Sequence, residues 1–205
     1  MRFTPPKLIK RLFPELIWNL SEKVEGKEIF LTFDDGPTPE ITDWVLECLA
    51  KEDVKATFFA LGKNVEQYPE IFKRVVAAGH AVGNHSYSHQ KGWEMTTERY
   101  VEDIDLADSF IHSNLVRPPY GRISPRQIHR LGERYKLIMW DVISHDYSKY
   151  CTPEACLKNV IKYSRDGAII VFHDSKKAFN NLQYALPNAI RILKSQGYTF
   201  RKIEL

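Results

Sequence analysis

The stretch EIFLTFDDGP, residues 28–37, decides how this chain is read. Its first six residues form an apolar, β-branched and aromatic run of strand length. The run breaks off at Asp34-Asp35, and Gly36-Pro37 turns the chain sharply. After Pro39, Ile41, Trp44, Val45, Leu46 and Leu49 recur at helical spacing. The unit is therefore a strand, a turn and a helix, with two adjacent carboxylates at the C-terminal end of the strand.

The unit repeats along the chain. Strand patterns recur as KATFFA (55–60), HAVGN (80–84), LVRP (115–118), KLIMWDV (136–142), GAIIVFH (167–173) and YTFRKI (198–203), making seven with the first. Helical patterns lie between them. One runs through Ile71, Phe72, Val75 and Val76 to Gly79, and another carries Val101, Ile104, Leu106, Ala107, Phe110 and Ile111. Ser124-Pro125 and Thr152-Pro153 each open a helix with a capping residue followed by proline, the second ending near Gly167. The last helix carries Leu186, Ile190 and Leu193 and stops at Gly197. This alternation predicts an α/β fold with a parallel sheet and helical crossovers. Seven units over 27–205 fit either a closed barrel or an open doubly wound sheet. The chain contains neither GxGxxG nor GxxxxGK[ST], so a nucleotide-binding open sheet has no support.

Composition excludes several classes. The chain has 205 residues, enough for one domain with a substantial core. A net charge of +3 with interspersed signs gives no nucleic-acid footprint. No run approaches the ~20 apolar residues of a membrane helix. Cys48, Cys151 and Cys156 form neither a disulfide framework nor a zinc ribbon, and read as reduced thiols. Residues 1–26 read as an N-terminal capping segment ahead of a domain over 27–205. Lys10, Arg11, Pro14 and Glu15 interrupt any secretory h-region, so the expected location is cytoplasmic. The basic and apolar alternation over 7–18 also admits peripheral contact with a membrane surface, although Pro14, with Pro5 and Pro6 just ahead, disfavours an interfacial helix.

Ionisable residues gather at the C-terminal ends of the strands. Asp34-Asp35 close the first, His85 and His89 follow the third, and Arg117 ends the fourth. Asp141 and Asp146 follow the fifth, and His173-Asp174 close the sixth. In a βα barrel those ends share the face that holds active sites. The His85-x-x-x-His89 spacing lets two imidazoles lie on one side of a single helical turn. Adjacent buried carboxylates repel one another and are costly without a cation. In an extended segment they point opposite ways, so one takes a metal and the other faces its water. Two histidines and one carboxylate suit a hydrolytic metal, and zinc fits the set. Arg117, stiffened by Pro118 and Pro119, offers a planar fork to the carboxylate that does not ligate. His173 with Asp146 or Asp141 makes a pair for proton transfer.

TFDDGP (32–37), HSYSH (85–89), RPPYG (117–121) and FHD (172–174), in that order, resemble the motifs of the NodB-homology polysaccharide deacetylases, carbohydrate esterase family 4. The resemblance implies a distorted (β/α)7 barrel of parallel strands in a single domain. It implies a metal-dependent hydrolase acting on carbon–nitrogen bonds other than peptide bonds, which removes N-acetyl and sometimes O-acetyl groups from a glycan or amino sugar. Asp34 then resembles the catalytic base and Arg117 its tether. Asp35, His85 and His89 resemble the ligands of a divalent metal: zinc, with cobalt, manganese and nickel as alternatives. The backbone N–H of Tyr120 resembles the oxyanion donor, Pro119 a wall of the substrate groove, His173 the general acid and Asp146 its partner. Asp146-Tyr147 stands where the family pattern has Asp-Trp, which leaves Asp141 as an alternative partner. Two other readings use the same residues: an intracellular deacylase of a lipid-linked or soluble amino sugar, and a sugar-binding barrel without activity. The intact set of polar residues argues against the second.

Overall fold

The structure, a computed structural model, describes residues 12–205. Nine strands make one sheet among them: β1 (Leu16–Ile17), β2 (Glu28–Asp34), β3 (Thr57–Ala60), β4 (Ala81–Asn84), β5 (Leu115–Val116), β6 (Lys136–Ile138), β7 (Val142–Ile143), β8 (Ile169–His173) and β9 (Thr199–Phe200). They run in the order β1-β6-β5-β4-β3-β2-β8-β7, with β9 also on β2. Every strand pairing is parallel. The helices are α1 (Ile41–Lys51), α2 (Gly62–Gln67), α3 (Pro69–Ala77), α4 (Thr97–Ile111), α5 (Pro125–Gly132), α6 (Pro153–Tyr163) and α7 (Phe179–Ser195). Ser124 caps α5 through a reciprocal capping box with Gln127, and the Thr152 side chain accepts from Ala155 N–H to open α6.

The sheet curls into a distorted barrel, and its seam corrects the expected strand over 136–142. That run is two strands, β6 and β7, at different places in the sheet. Between them the Met139 N–H donates to Ile17 O (2.7 Å) and the Asp141 N–H to Ile169 O (2.9 Å). Ile138 and Val142 are four residues apart, so the sheet's two margins approach within ~14 Å. The start of the described chain bridges the same seam. Leu16 pairs with Leu137, Leu20 N–H donates to Gly167 O (2.8 Å), and Leu16, Trp18 and Leu20 are buried. Residues 1–11, including the first part of the membrane-surface stretch proposed over 7–18, lie outside the described residues. α2 was not expected from the sequence, and α6 ends at Tyr163, earlier than Gly167.

Side-chain parity builds the core. On β2, Ile29, Leu31 and Phe33 point outward into a cluster with Val45 and Leu49 of α1 and Leu182, Leu186 and Ile190 of α7. Phe30 points inward to meet Phe59, Leu115, Ile138 and Ile169, one residue from each of four further strands, which fill the lower barrel. On the inward side Phe30 is followed by Thr32 and then Asp34. The hydrophobic floor therefore gives way to polar residues toward the C-terminal mouth. We expect Leu31→Ala, on the outward face, to lower unfolding stability by ~2–5 kcal/mol with the site residues still in place. Urea titration followed by circular dichroism checks this.

Candidate active site

The inward column of β2 sets the first carboxylate. Register pairs Asp34 with His173 on β8 and with Phe59 on β3. Arg117, just beyond β5, lies fully buried beneath the mouth. Its Nη1 donates to Asp34 Oδ1 and to Thr32 Oγ1, both at 2.7 Å, and its Nη2 to Met139 O at 3.0 Å. The guanidinium lies 4.0 Å from the centroid of the Phe59 ring. Burial lowers the Arg117 pKa, and the charge and hydrogen bond of Asp34 oppose that shift. The pair is thus a desolvated ion pair whose donors have acceptors, unlike a surface pair of small value. It leaves Asp34 Oδ2 facing the mouth, 3.9 Å from His85 Nε2.

The extended geometry expected for Asp34-Asp35 is not what the chain adopts. Asp35 has φ 81°, and the chain turns back on itself at this residue. Both carboxylates therefore face the same imidazole, with Asp35 Oδ1 3.7 Å from His85 Nε2. The turn is pinned from several sides. Leu61 N–H donates to Gly36 O (2.9 Å), and Asn64 Nδ2 to Asp35 O (2.8 Å). The Gly36 N–H donates to Asp174 Oδ1 (3.1 Å), and the Thr42 hydroxyl to Asp174 Oδ2 (2.6 Å). A Cβ at Gly36 would run into the Asp174 carboxylate, so only glycine fits. Burial, with the negative charge of Asp35, pushes the Asp174 pKa up to about 7, against the hydrogen bonds of Thr42 and Gly36. Asp174, Asn64 and Thr42 were given no role from the sequence. The available signal was that Asp174 follows an inward-facing His173, so strand parity turns it away from the lumen.

The histidines also converge differently from expectation. Residues 85–89 form no helical turn. Ser86 and His89 both have positive φ, 68° and 59°, and the chain bends twice. Asn84 Oδ1 accepts from Ser86 N–H (2.8 Å), and Ser86 Oγ accepts from His89 N–H (3.0 Å). The His85 and His89 rings end 5.2 Å apart. His85 Nδ1 bonds Arg117 O at 2.8 Å, which assigns the proton to Nδ1 and leaves Nε2 with its lone pair toward the mouth. Burial lowers the His85 pKa to about 4 against the opposing charges of Asp34 and Asp35, so the ring is neutral at pH 7. Burial raises the Asp35 pKa, but the close approach of the His89 imidazole and the charge of His173 outweigh it and hold this carboxyl below the usual range.

On the opposite side of the mouth, His173 Nδ1 lies 2.8 Å from Asp146 Oδ1, and His173 N–H donates to Asp146 Oδ2 at 2.7 Å. Asp146 is itself buried, and Asn181 Nδ2 donates to its carbonyl at 2.7 Å. Tyr147 meets His173 edge-on, ring centroids 4.9 Å apart. Asp141 is turned elsewhere, with Arg165 Nη2 2.6 Å from its carboxylate. Desolvation lowers the His173 pKa, but Asp146 and the more distant Asp35 and Asp34 outweigh it and raise it to about 9. Tyr120 sits in a tight turn after Pro118 with φ 59°, closed by Gly121 N–H to Pro118 O and Arg122 N–H to Pro119 O. Its ring lies 4.6 Å from that of His89, and Pro119 is buried beside it.

The three donors fit a divalent metal. One ligand atom each from Asp35, His85 and His89 lies within 4.8 Å of the others. Asp35 Oδ1 is 3.2 Å from His89 Nε2 and 3.7 Å from His85 Nε2, near the ~3.3 Å edge of a tetrahedron with zinc-length arms. Asp35 Oδ1 is moreover buried with no hydrogen bond of acceptable geometry. Three protein ligands leave at least one position open, as in catalytic rather than structural sites. Three donors able to hold a metal, beside a tethered carboxylate at the C-terminal mouth of a parallel barrel, are the arrangement that a metal-dependent hydrolase requires.

Comparison with known proteins agrees. The polysaccharide deacetylase family model matches residues 21–135, and the chain belongs to this family, whose members remove acetyl groups from carbohydrates. It is 35% identical over 185 residues to the peptidoglycan-N-acetylglucosamine deacetylase PgdA of Listeria monocytogenes, covering 87% of this chain but 38% of that protein. The chain thus spans well under half the length of this relative. It is 33% identical over 190 residues to the peptidoglycan-N-acetylmuramic acid deacetylase PdaA of Bacillus subtilis, covering 87% of this chain and 70% of that protein. Among solved structures, the Bc1960 peptidoglycan N-acetylglucosamine deacetylase superposes with a TM-score of 0.87 at 30% identity, covering 98% of this chain and 95% of that one.

The His173–Asp146 pair has a measurable pH consequence. A folded pKa near 9, above the ordinary 6.5, stabilises the fold fully below about pH 6.5, and that contribution is lost as pH rises through about 9. In metal-free protein the His173 imidazole should titrate near 9 by NMR, and Asp146→Asn should bring it down. Asp141→Asn should leave it unchanged.

Proposed function

We propose that this protein hydrolyses the N-acetyl groups of peptidoglycan amino sugars, releasing acetate and a free amine, with zinc as its metal. The observation that carries the reading is the division of labour in the doublet. Asp35 Oδ1 joins the two histidine nitrogens, while Asp34 is tethered through Oδ1 to Arg117 with Oδ2 turned to the same spot.

Asp35, His85 and His89 would hold a divalent ion, which when bound would supply Lewis acidity toward the acetyl carbonyl and the attacking water. Asp34 Oδ2 accepts the proton of the attacking water as general base. Arg117 keeps that carboxylate in one orientation, and its own burial keeps bulk water from screening the pair. The Tyr120 N–H donates to the oxyanion of the tetrahedral intermediate. His173, held protonated by Asp146, gives its proton to the departing amine. Pro119 forms part of the groove wall beside Tyr120. The names of PgdA, PdaA and Bc1960 support peptidoglycan as the glycan, and both glucosamine and muramic acid sites are represented among them.

Acetate release from peptidoglycan fragments and chitin oligosaccharides tests the reading. Zinc should support turnover, and a chelator should abolish it. Asp34→Asn should keep zinc stoichiometry by elemental analysis while turnover drops by at least ~100-fold, the scale of a lost general base. Wild-type turnover in that variant would remove Asp34 from the role. Cell fractionation separates two settings of the same chemistry: activity with the cell wall goes with peptidoglycan, and activity in the cytosol with a soluble amino sugar.

A further inference from the structure

The loop that carries His85 and His89 lies between two helices. Ser86 and His89 hold the left-handed backbone at φ 68° and 59°, a region that residues with a Cβ keep only where surrounding bonds fix them. On one side the start of α2 takes the loop's carbonyls: Gly62 N–H donates to Ser86 O (2.9 Å) and Lys63 N–H to Tyr87 O (3.4 Å). On the other side Asp103 of α4 takes its donors. Asp103 Oδ2 accepts from Tyr87 N–H (3.1 Å) and Ser88 N–H (3.3 Å), and Asp103 Oδ1 accepts from the Ser88 hydroxyl (2.6 Å). There is no slack between the two helices. A Cβ at Gly62 would come within 2.7 Å of Ala107 Cα, one turn beyond Asp103 on α4, and 2.9 Å of Tyr87 Cδ2.

Three donors on one half-buried carboxylate fix Tyr87 and Ser88, the two residues just before His89. They thereby set the direction from which the His89 imidazole approaches Asp35, with Nε2 3.2 Å from Asp35 Oδ1. α4 does not need these bonds for its own ends. Thr96 caps it by accepting from Arg99 N–H, and the chain leaves through the left-handed His112. Asp is a poor helix former in a helix interior, so its place at 103 serves the loop and not the helix. Nor does Asp103 duplicate Ser86. The Ser86 hydroxyl accepts from His89 N–H (3.0 Å) and closes the loop on itself, whereas Asp103 ties the loop to the scaffold. We propose that Asp103 is a positioning residue for the metal site: by holding His89 in its ligating direction before the ion arrives, it raises the affinity for a divalent cation. This rests on the metal reading of Asp35, His85 and His89 and is independent of which glycan is the substrate.

Zinc affinity, measured on the whole chain by competition with a chromophoric chelator, tests this without turnover. Asp103→Ala should weaken zinc binding about 10-fold, the lower end of the loss that follows removal of a hydrogen-bond partner behind a metal ligand. Asp103→Asn should recover most of it, because the amide oxygen still accepts from the two backbone N–H groups and the amide nitrogen donates to the Ser88 hydroxyl. Asp105→Ala is the control. Asp105 stands two residues along the same helix, on another face, and pairs with Arg134 (2.6 Å), so its loss should leave zinc affinity unchanged whatever it does to stability. Unchanged zinc affinity in a folded Asp103→Ala protein, an equal loss in Asp105→Ala, or a loss that Asp103→Asn fails to restore would overturn the proposal. Should Asp103→Ala not fold, Ser88→Ala decides, since it removes only the 2.6 Å bond: weaker zinc binding supports the proposal and wild-type binding overturns it. An unmodified protein that binds no zinc would instead sink the metal reading itself, and the proposal with it.

Discussion

The structure turns on one buried charge. The Arg117 guanidinium lies inside the barrel, where an unpaired cation would cost several kcal/mol. It is tolerated because acceptors surround it: Asp34 Oδ1, Thr32 Oγ1 and the Met139 carbonyl, with Phe59 beneath. Those acceptors come from β2 and from the seam between β6 and β7, so this one side chain ties the wall to the point where the barrel closes. Its own carbonyl accepts from His85 Nδ1, which fixes that ring's tautomer. Arg117 thereby orients both the Asp34 carboxylate and the His85 imidazole.

Around it the mouth concentrates negative charge. Asp34, Asp35 and Asp146 face it with one guanidinium and one imidazolium, and Asp35 Oδ1 is left buried without a hydrogen bond. Such an arrangement is poorly suited to stability by itself and well suited to a cation. Asp174, pushed toward its neutral form by burial, belongs to the same compromise. It secures the Asp35 turn through Gly36 and Thr42 at the cost of a further desolvated carboxyl. Buried polar groups of this kind are the usual mark of function overriding stability.

The two flanks of the mouth differ in kind. On the His173 side the groups are buried and tightly bonded, down to the Asn181 bond on the Asp146 carbonyl. On the His89 side, aromatic and cationic groups are open to solvent, and they are fixed by backbone bonds at Gly92, Arg122 and Ile123. Proton transfer needs the first kind of surroundings, where a pKa can be held away from its ordinary value.

Much of this was determined by local sequence. Strand-length apolar runs, capping residues at Ser124 and Thr152, and helix-stopping glycines reflect short-range propensity and hydrophobic period, and the alternating units follow from them. The polar residues at strand ends likewise had to share one face, because parallel strands all point the same way. Tertiary structure decided the rest. The run over 136–142 reads as one strand, and only pairing with Ile17 at one end and Ile169 at the other divides it. The positive φ of Asp35, Ser86 and His89 has no signature in residue type, since non-glycine residues enter that region only when surrounding bonds hold them there. The choice of Asp146 over Asp141 beside His173 was equally invisible, because both follow the same strand pattern. It was settled by Arg165 reaching one carboxylate and the β8 backbone reaching the other.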